Sequence, residues 1–254
     1  MTLEGKKGLV VGIANANSIA WGCAQAFHQA GATLAITYLN AKAEPYVRPL
    51  AEQVAAPLIL PLDVRDDAQL EAVFRSVEQQ WGKLDFLLHA VAHAPKSDLA
   101  GRVVDTSRQG FLEAMDVSCH SFVRMARLAE PLMFDSGCLL TTTYYGSEKV
   151  IPHYNVMGPV KAALESTVRY LAAELGPRRI RVNAISPGPI ATRAASGIAH
   201  FDELLQRARE KSPARETACI DCVGAYASFL VSDAARLVTG SVAFVDAGFN
   251  VMGA

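Results

Sequence analysis

Lys7-Gly8-Leu9-Val10-Val11-Gly12-Ile13-Ala14-Asn15-Ala16-Asn17-Ser18-Ile19-Ala20-Trp21-Gly22 decides the fold. A short apolar run ends at Gly12, small residues follow, and from about Ser18 the spacing turns helical and continues to Ala30, where Gly31 stops it. A brief apolar run bounded by glycine fits a buried strand, and a period near 3.6 fits a helix. The unit is strand, glycine turn, helix. Small residues in such a turn let backbone amides approach a pyrophosphate, and the start of the next helix adds positive potential. A plain glycine stop before a helix explains the same residues, because the G-x-G-x-x-G pattern is not present.

The alternation repeats along the chain. Thr33 to Tyr38 reads as a second buried strand and Pro57 to Leu62 as a third, with a helix through Tyr46 and Leu50 between them. A helix from Ala68 to Trp81 leads to a strand from Leu84 to Ala90, and a long helix from about Gln109 to Met133 leads to a strand from Cys138 to Thr143. Tyr154 to Leu175 reads as helix, Arg181 to Ile185 as strand, Cys222 to Leu230 as helix and Val242 to Val245 as the last strand. Such repetition requires right-handed crossovers and a mostly parallel sheet covered on both faces. The expected fold is α/β: a doubly wound Rossmann fold with a seven-stranded, mostly parallel sheet. Without a linker-like tract or a repeat, residues 1–254 are expected to form a single domain.

A formal net charge of −1, from 24 basic and 25 acidic residues, gives no electrostatic reason to expect a nucleic acid or a membrane surface as partner. A small molecule is the expected ligand. Met1 to Gly8 carries Glu4, Lys6 and Lys7 and runs straight into a strand, and no later segment reaches membrane-spanning length, so a cytoplasmic protein is expected. Five cysteines do not suggest a disulfide framework. Cys219-Ile220-Asp221-Cys222 lacks a second ligand pair for zinc, and two small buried thiols are the expected reading; no metal is expected.

In doubly wound sheets ligands bind beyond the carboxyl ends of the strands. Leu39-Asn40-Ala41-Lys42, after the second strand, offers neither an acidic residue for a ribose diol nor an arginine for a 2′-phosphate, which favours NADH over NADPH. Asp63-Val64, after the third strand, places a carboxylate either against an adenine amino group or at a helix cap. His89-Ala90-Val91-Ala92-His93-Ala94-Pro95 follows the fourth strand with small residues suited to close packing on a cofactor. Its two histidines read more readily as loop hydrogen-bonding groups than as metal ligands or acid–base groups.

Tyr154 and Lys161 lie seven positions apart. At about 100° per residue, that brings a helix back to nearly the same face, roughly 10 Å further along. A cation near a phenol, whose free pKa is about 10, favours the charged form and makes the hydroxyl a better acid. Reduction chemistry follows if the two groups share a cleft. Pro159 belongs in a first helical turn, so Tyr154 falls at or just before the helix start. The competing reading is a buried tyrosine and an exposed lysine that never meet.

Several of these segments together resemble the short-chain dehydrogenase/reductase superfamily, and within it the type I bacterial enoyl-[acyl-carrier-protein] reductases. The resemblance covers essentially the whole chain. It rests on the Gly12 to Gly22 loop with Ser18-Ile19-Ala20, on Tyr144 and Tyr154 ten residues apart, and on Tyr154-Asn155-Val156-Met157-Gly158 up to Lys161. Arg181-Val182-Asn183-Ala184-Ile185-Ser186 and Gly188-Pro189-Ile190-Ala191-Thr192 complete it. Ordinary members of the superfamily carry a tyrosine four residues before the lysine, where this chain has Met157, and a serine on the preceding strand, where it has Thr141, Thr142, Thr143 and Tyr144. Both departures point to enoyl reduction.

The resemblance implies NADH-dependent reduction of the trans-2 double bond of enoyl-acyl-carrier-protein thioesters in fatty acid synthesis. It implies Tyr154, Lys161 and Tyr144 as catalytic residues, and Gly12, Ser18, Ile19, Leu39, Asp63, Val64, Val91, Lys161, Ile190 and Thr192 as dinucleotide contacts. Ala94, Tyr144, Tyr154, Met157 and Phe201 would meet the substrate, under a lid at about residues 195–211. Acyl carrier protein and a homotetramer are the implied partners. Asp202 and Glu203 make the start of the lid helix acidic where a basic landing surface is expected; Arg207, Arg209 and Lys211 either compensate or belong to an ordinary surface helix. Ala92, where the family more usually has glycine, and His93 alter the pocket rim. A ketone or 3-ketoacyl thioester reductase of the same superfamily is the runner-up, and a non-catalytic dinucleotide-binding protein the third reading.

Overall fold

A computed structural model of the chain describes residues 2–99, 101–192 and 201–252. Seven strands form one sheet: β1 (Lys7–Val11), β2 (Thr33–Tyr38), β3 (Leu58–Pro61), β4 (Phe86–His89), β5 (Gly137–Thr142), β6 (Ile180–Pro187) and β7 (Val242–Val245). Their order is β3-β2-β1-β4-β5-β6-β7, and every neighbouring pair is parallel. The order reverses between β1 and β4, where Val11 lies opposite His89, so the crevice opens beyond those two strand ends.

Helices cover both faces. They are α1 (Ile19–Gln29), α2 (Glu44–Gln53), α3 (Asp67–Trp81), a short α4 (Lys96–Leu99), α5 (Arg108–Met115), α6 (Ser121–Ala129), α7 (Met157–Leu175), α8 (Phe201–Lys211) and α9 (Ile220–Val231). Successive strand residues point to opposite faces. Leu9 and Val11 accordingly pack with Phe74, Phe122, Leu164 and Val168 of α3, α6 and α7, while Val10 between them packs with Phe27, Val47, Val223 and Leu230 of α1, α2 and α9. No helix among the described residues is long and apolar enough to cross a membrane.

Three expectations change. The long helix from Gln109 to Met133 is broken: α5 and α6 are joined by a wider π turn at Asp116–His120. The turn places Ser118 where its Oγ accepts from His93 N and donates to His93 O, both at 2.9 Å, so it clamps the loop after β4. Such turns recur at functional sites. The helix expected from Tyr154 begins at Met157, with Pro159 inside its first turn, where the missing N–H costs no helical bond. Cys219 and Cys222, expected as buried thiols, are joined in a disulfide; Cys219 is half-buried and Cys222 exposed, because they occupy the cap and first turn of α9 instead of its packed face.

Candidate active site

Because all seven strands are parallel, the segments after β1, β4, β5 and β6 lie along one edge. Gly12 opens the first of them at φ +116°, and a Cβ there would lie 2.2 Å from Ala90 O. Glycine is required by this close approach to the loop after β4 as well as by the backbone angle. Ser18 caps the approach to α1 and is buried, and its Oγ accepts from Ala14 N and Asn15 N, both at 3.0 Å, closing the turn on itself. Ile19, half-buried, starts α1 and packs on the same cluster as Ile190.

Beyond β5, Tyr144 and Tyr154 meet edge to face with ring centroids 4.9 Å apart. Tyr154 precedes α7 in a turn whose neighbours His153 and Asn155 have φ of +64° and +44°, and Asn155 Nδ2 donates to Leu99 O. Asparagine tolerates that left-handed conformation better than most residues. A Cβ on Gly146 would lie 2.4 Å from Tyr154 Cδ1, so the ring lies against that glycine. Met157, Ala94 and Val64 are buried in the same apolar cluster as Tyr154, with Tyr144 and Val91 packed on it.

Lys161 is 4 % exposed, one turn into α7, and its Nζ donates to Thr142 O at 2.8 Å. The reading of an exposed lysine therefore fails. Burial lowers its pKa from the ordinary 10.5 to about 8. Four residues on, Glu165 is buried too and accepts from Thr143 Oγ1 at 2.6 Å. Burial raises the Tyr154 phenol above its ordinary value, and Tyr144 and Glu165 raise it further. Tyr144 is raised as well, chiefly by burial, with Asp246 and Tyr145 adding. The expectation that Lys161 makes the phenol more acidic does not hold, since desolvation disfavours the phenolate. Tyr154 is a neutral phenol.

Tyr144 Oη, Ser147 Oγ and Ser186 Oγ are buried without a hydrogen-bond partner among the described residues. Buried hydroxyls of folded proteins are normally paired. Tyr144 and Ser147 follow β5 and Ser186 is the last residue but one of β6, so three orphaned hydroxyls occur along the edge that also holds Tyr154 and Lys161, which fits a polar ligand laid there.

Asp63, expected at adenine or as a helix cap, does not cap α3; Asp66 does, accepting from Ala68 N and Gln69 N. Asp63 instead pairs with Arg65 (2.6 Å), which holds its carboxyl below the usual range, and Arg65 reaches Glu113 (3.5 Å), which His93 also contacts (3.1 Å). This links the loops after β3 and β4. His89 is wholly buried between Thr141 Oγ1 (2.9 Å) and Ser121 Oγ (2.8 Å), and desolvation lowers its pKa to about 3. It is a neutral structural group. Leu39 is 50 % exposed after β2. Thr192 N donates to Ile190 O at 2.8 Å in the loop after β6. Residues 195–200 of the expected lid lie outside the described residues, and Phe201, half-buried, begins α8.

Arg65, Ser118 and Glu165 had no sequence reading, and Ser186 entered only as the last residue of the Arg181 to Ser186 motif, without a role. Glu165 was within reach, being four positions from Lys161 on one helix. Ser118 was not, because its role depends on the π turn.

Sheet order, the glycine turn after β1 and the tyrosine and lysine beyond β5 together define a short-chain dehydrogenase/reductase fold. The family model described as Enoyl-(Acyl carrier protein) reductase matches residues 12–250, and the chain belongs to that family. It is 48 % identical to the enoyl-[acyl-carrier-protein] reductase [NADH] of Synechocystis, covering 100 % of this chain and 99 % of that one. With enoyl-[acyl-carrier-protein] reductase [NADH] 1 of Rhizobium meliloti it shares 49 % identity over 99 % of this chain and 92 % of the other. The solved enoyl-(acyl-carrier-protein) reductase of Anaplasma phagocytophilum, in complex with NAD, superposes with a TM-score of 0.96 at 48 % identity, covering 100 % of this chain and 97 % of that one.

Proposed function

We propose that this protein reduces the trans-2 double bond of enoyl thioesters carried on acyl carrier protein, with NADH as reductant. Membership of the family and full-length identity to NADH-dependent relatives support the activity and the cofactor. One observation carries the assignment of residues: the Tyr144–Tyr154 ring pair stands over the edge of β5, while Met157 fills the position one turn before Lys161.

NADH, when bound, supplies a hydride to the β-carbon of the thioester. Negative charge then gathers on the thioester oxygen as an enolate, and uptake of a proton from water at the α-carbon completes saturation. Tyr154, a neutral phenol, donates a hydrogen bond to that oxygen, and a donor fixed in a water-poor site opposes developing charge better than mobile water does. Lys161, held by Thr142 O, offers its remaining protons to the nicotinamide ribose hydroxyls while it is charged. Tyr144, Met157, Ala94 and Phe201 wall the acyl chain. Gly12, Ser18, Ile19, Leu39, Asp63, Val64, Val91, Ile190 and Thr192 hold the dinucleotide, and α8 serves the substrate site as its lid helix on a single domain.

The carrier docks on the second half of α8, where Arg207, Arg209 and Lys211 offset the acidic start. Assembly is a homotetramer through the faces of α6 and α7. The test is spectrophotometric: NADH consumption with crotonyl thioesters, compared with NADPH and with 3-ketoacyl thioesters. Turnover of the ketone and not of the enoyl substrate would overturn the reading.

A further inference from the structure

None of the roles proposed for enoyl reduction falls on the Cys-Ile-Asp-Cys sequence at the start of α9. Cys219 caps the helix, its Sγ accepts from Cys222 N at 3.0 Å, and the two sulfurs are bonded. The other three cysteines are buried and unpaired, and burial raises each of their pKa values, Cys23 to about 12. Disulfide-bonded sulfur near the surface and buried thiols are thus separated in this chain. A disulfide spanning so few residues restrains little of the unfolded ensemble, so stability is a weak reason for it. Thiols spaced Cys-x-x-Cys at a helix start are those whose thiolates are favoured, because free N–H groups and the helix dipole face the anion.

The clip also joins two parts of the site. On one side α9 crosses α1 backbone to backbone: a Cβ on Gly22 would lie 2.4 Å from Ile220 O, and one on Gly224 would lie 2.3 Å from Gly22 O. The Cys222 end is therefore fixed to the helix that begins at the Ser18 turn. On the other side Cys219 continues from Ala218, whose Cβ would lie 3.4 Å from a Cβ on Gly188, at the head of the loop that runs to Thr192.

We propose that Cys219 and Cys222 are a reversible thiol–disulfide site, exchanging with a dithiol, and that the disulfide holds Gly188 to Thr192 in the form that binds the dinucleotide more tightly. A thiolate of the dithiol attacks the exposed Cys222 Sγ; the Cys219–Cys222 bond breaks as a mixed disulfide forms, and Cys219 leaves as a thiolate held by the Cys222 N–H. The second thiol of the dithiol then displaces Cys222, closing its own disulfide. Two electrons and two protons pass to the pair, and oxidation is the reverse. Reduction frees Cys219 and Ala218 to move against Gly188.

The experiment equilibrates the folded full chain with reduced or oxidised dithiothreitol, counts alkylatable thiols by mass, and measures the NADH dissociation constant by fluorescence titration. The expected result is a reversible gain of two thiols on reduction, from the single disulfide, with severalfold weaker NADH binding. Cys222→Ser is expected to show the weaker binding in both buffers. The proposal is overturned if the pair resists interconversion in the folded protein, if it interconverts without changing NADH binding, or if Cys222→Ser still responds to the buffer. The wild-type measurements stand alone should that variant fail to fold. Thiol count and NADH binding need no turnover, so failure of the enoyl reductase reading would register separately.

Discussion

At Lys161 burial and function oppose each other. Its pKa falls from 10.5 to about 8, so at neutral pH the fold carries a desolvated ammonium at a cost of about 3 kcal/mol. Between those two values the unfolded chain binds more protons than the folded one, and stability therefore rises with pH through that window. Lys161→Met is expected to be more stable than wild type near pH 7, less what is lost with the bond to Thr142 O. The gap should close as pH rises from about 8 to 10.5, as followed by urea denaturation. If the charged form binds the ribose, kcat/KM for NADH falls on the alkaline side with an apparent pKa near 8, and Lys161→Arg, which stays charged, removes that limb. Tyr154→Phe isolates the other role. Loss of one preorganised donor is expected to lower kcat about 100- to 1000-fold, with little change in NADH binding. Both residues were legible in their spacing, but their electrostatics were not. Spacing selects groups that belong to one region of the fold, whereas the sign of the Tyr154 shift depends on how completely the ring pair and Gly146 exclude water.

Among the elements, α8 sets its charges at opposite ends, Asp202 and Glu203 in the first turn and Arg209 and Lys211 in the last. Each sign faces the helix terminus it stabilises, so helix electrostatics alone account for the pattern. Docking of an acidic carrier requires more of Arg207 and Arg209 than this. Exchanging both for glutamate is expected to raise KM severalfold for a carrier-protein thioester and to leave KM for the coenzyme A thioester nearly unchanged, the difference shrinking in high salt. Equal effects on both substrates would leave α8 with a structural role only. Periodicity located α1, α3, α7, α9 and every strand to within a few residues, since their buried faces repeat regularly. It missed the break between α5 and α6, because a π turn inserts a residue without disturbing the average spacing, and its reason lies in Ser118 bonding to a loop distant in sequence. The Cys219–Cys222 bond was hidden for a related reason: a Cys-x-x-Cys spacing does not say whether the sulfurs face the core or the solvent-exposed helix start.

For the whole molecule, strand order and parallel sense followed from the alternation of strand and helix, since right-handed crossovers leave few other windings. What neighbours the folded chain did not follow. Each helix of a doubly wound fold has an inner face fixed by the sheet, and the sequence constrains its outer face only through solubility. On α7 that outer face carries Tyr170, 70 % exposed, at a concave patch lined also by Val123, Ala163, Ser166, Thr167, Leu171 and Glu174 from α6 and α7. An exposed aromatic in a depression of mixed apolar and polar lining on two adjacent helices suits self-complementary pairing, in which each patch receives the ring of its twin. Under that arrangement Tyr170→Glu places like charges across a two-fold axis and desolvates them on assembly. If the proposed tetramer assembles through this face, light scattering coupled to size exclusion is expected to show the wild type as tetramers and the variant as dimers, with the far-ultraviolet circular dichroism of the folded chain unchanged. A tetramer that survives the substitution would move the interface to another face. Because α7 also carries Lys161 and is preceded by the Tyr154 turn, loss of this pairing should loosen the active edge as well, seen as lower kcat in the dimer at protein concentrations where wild type remains assembled.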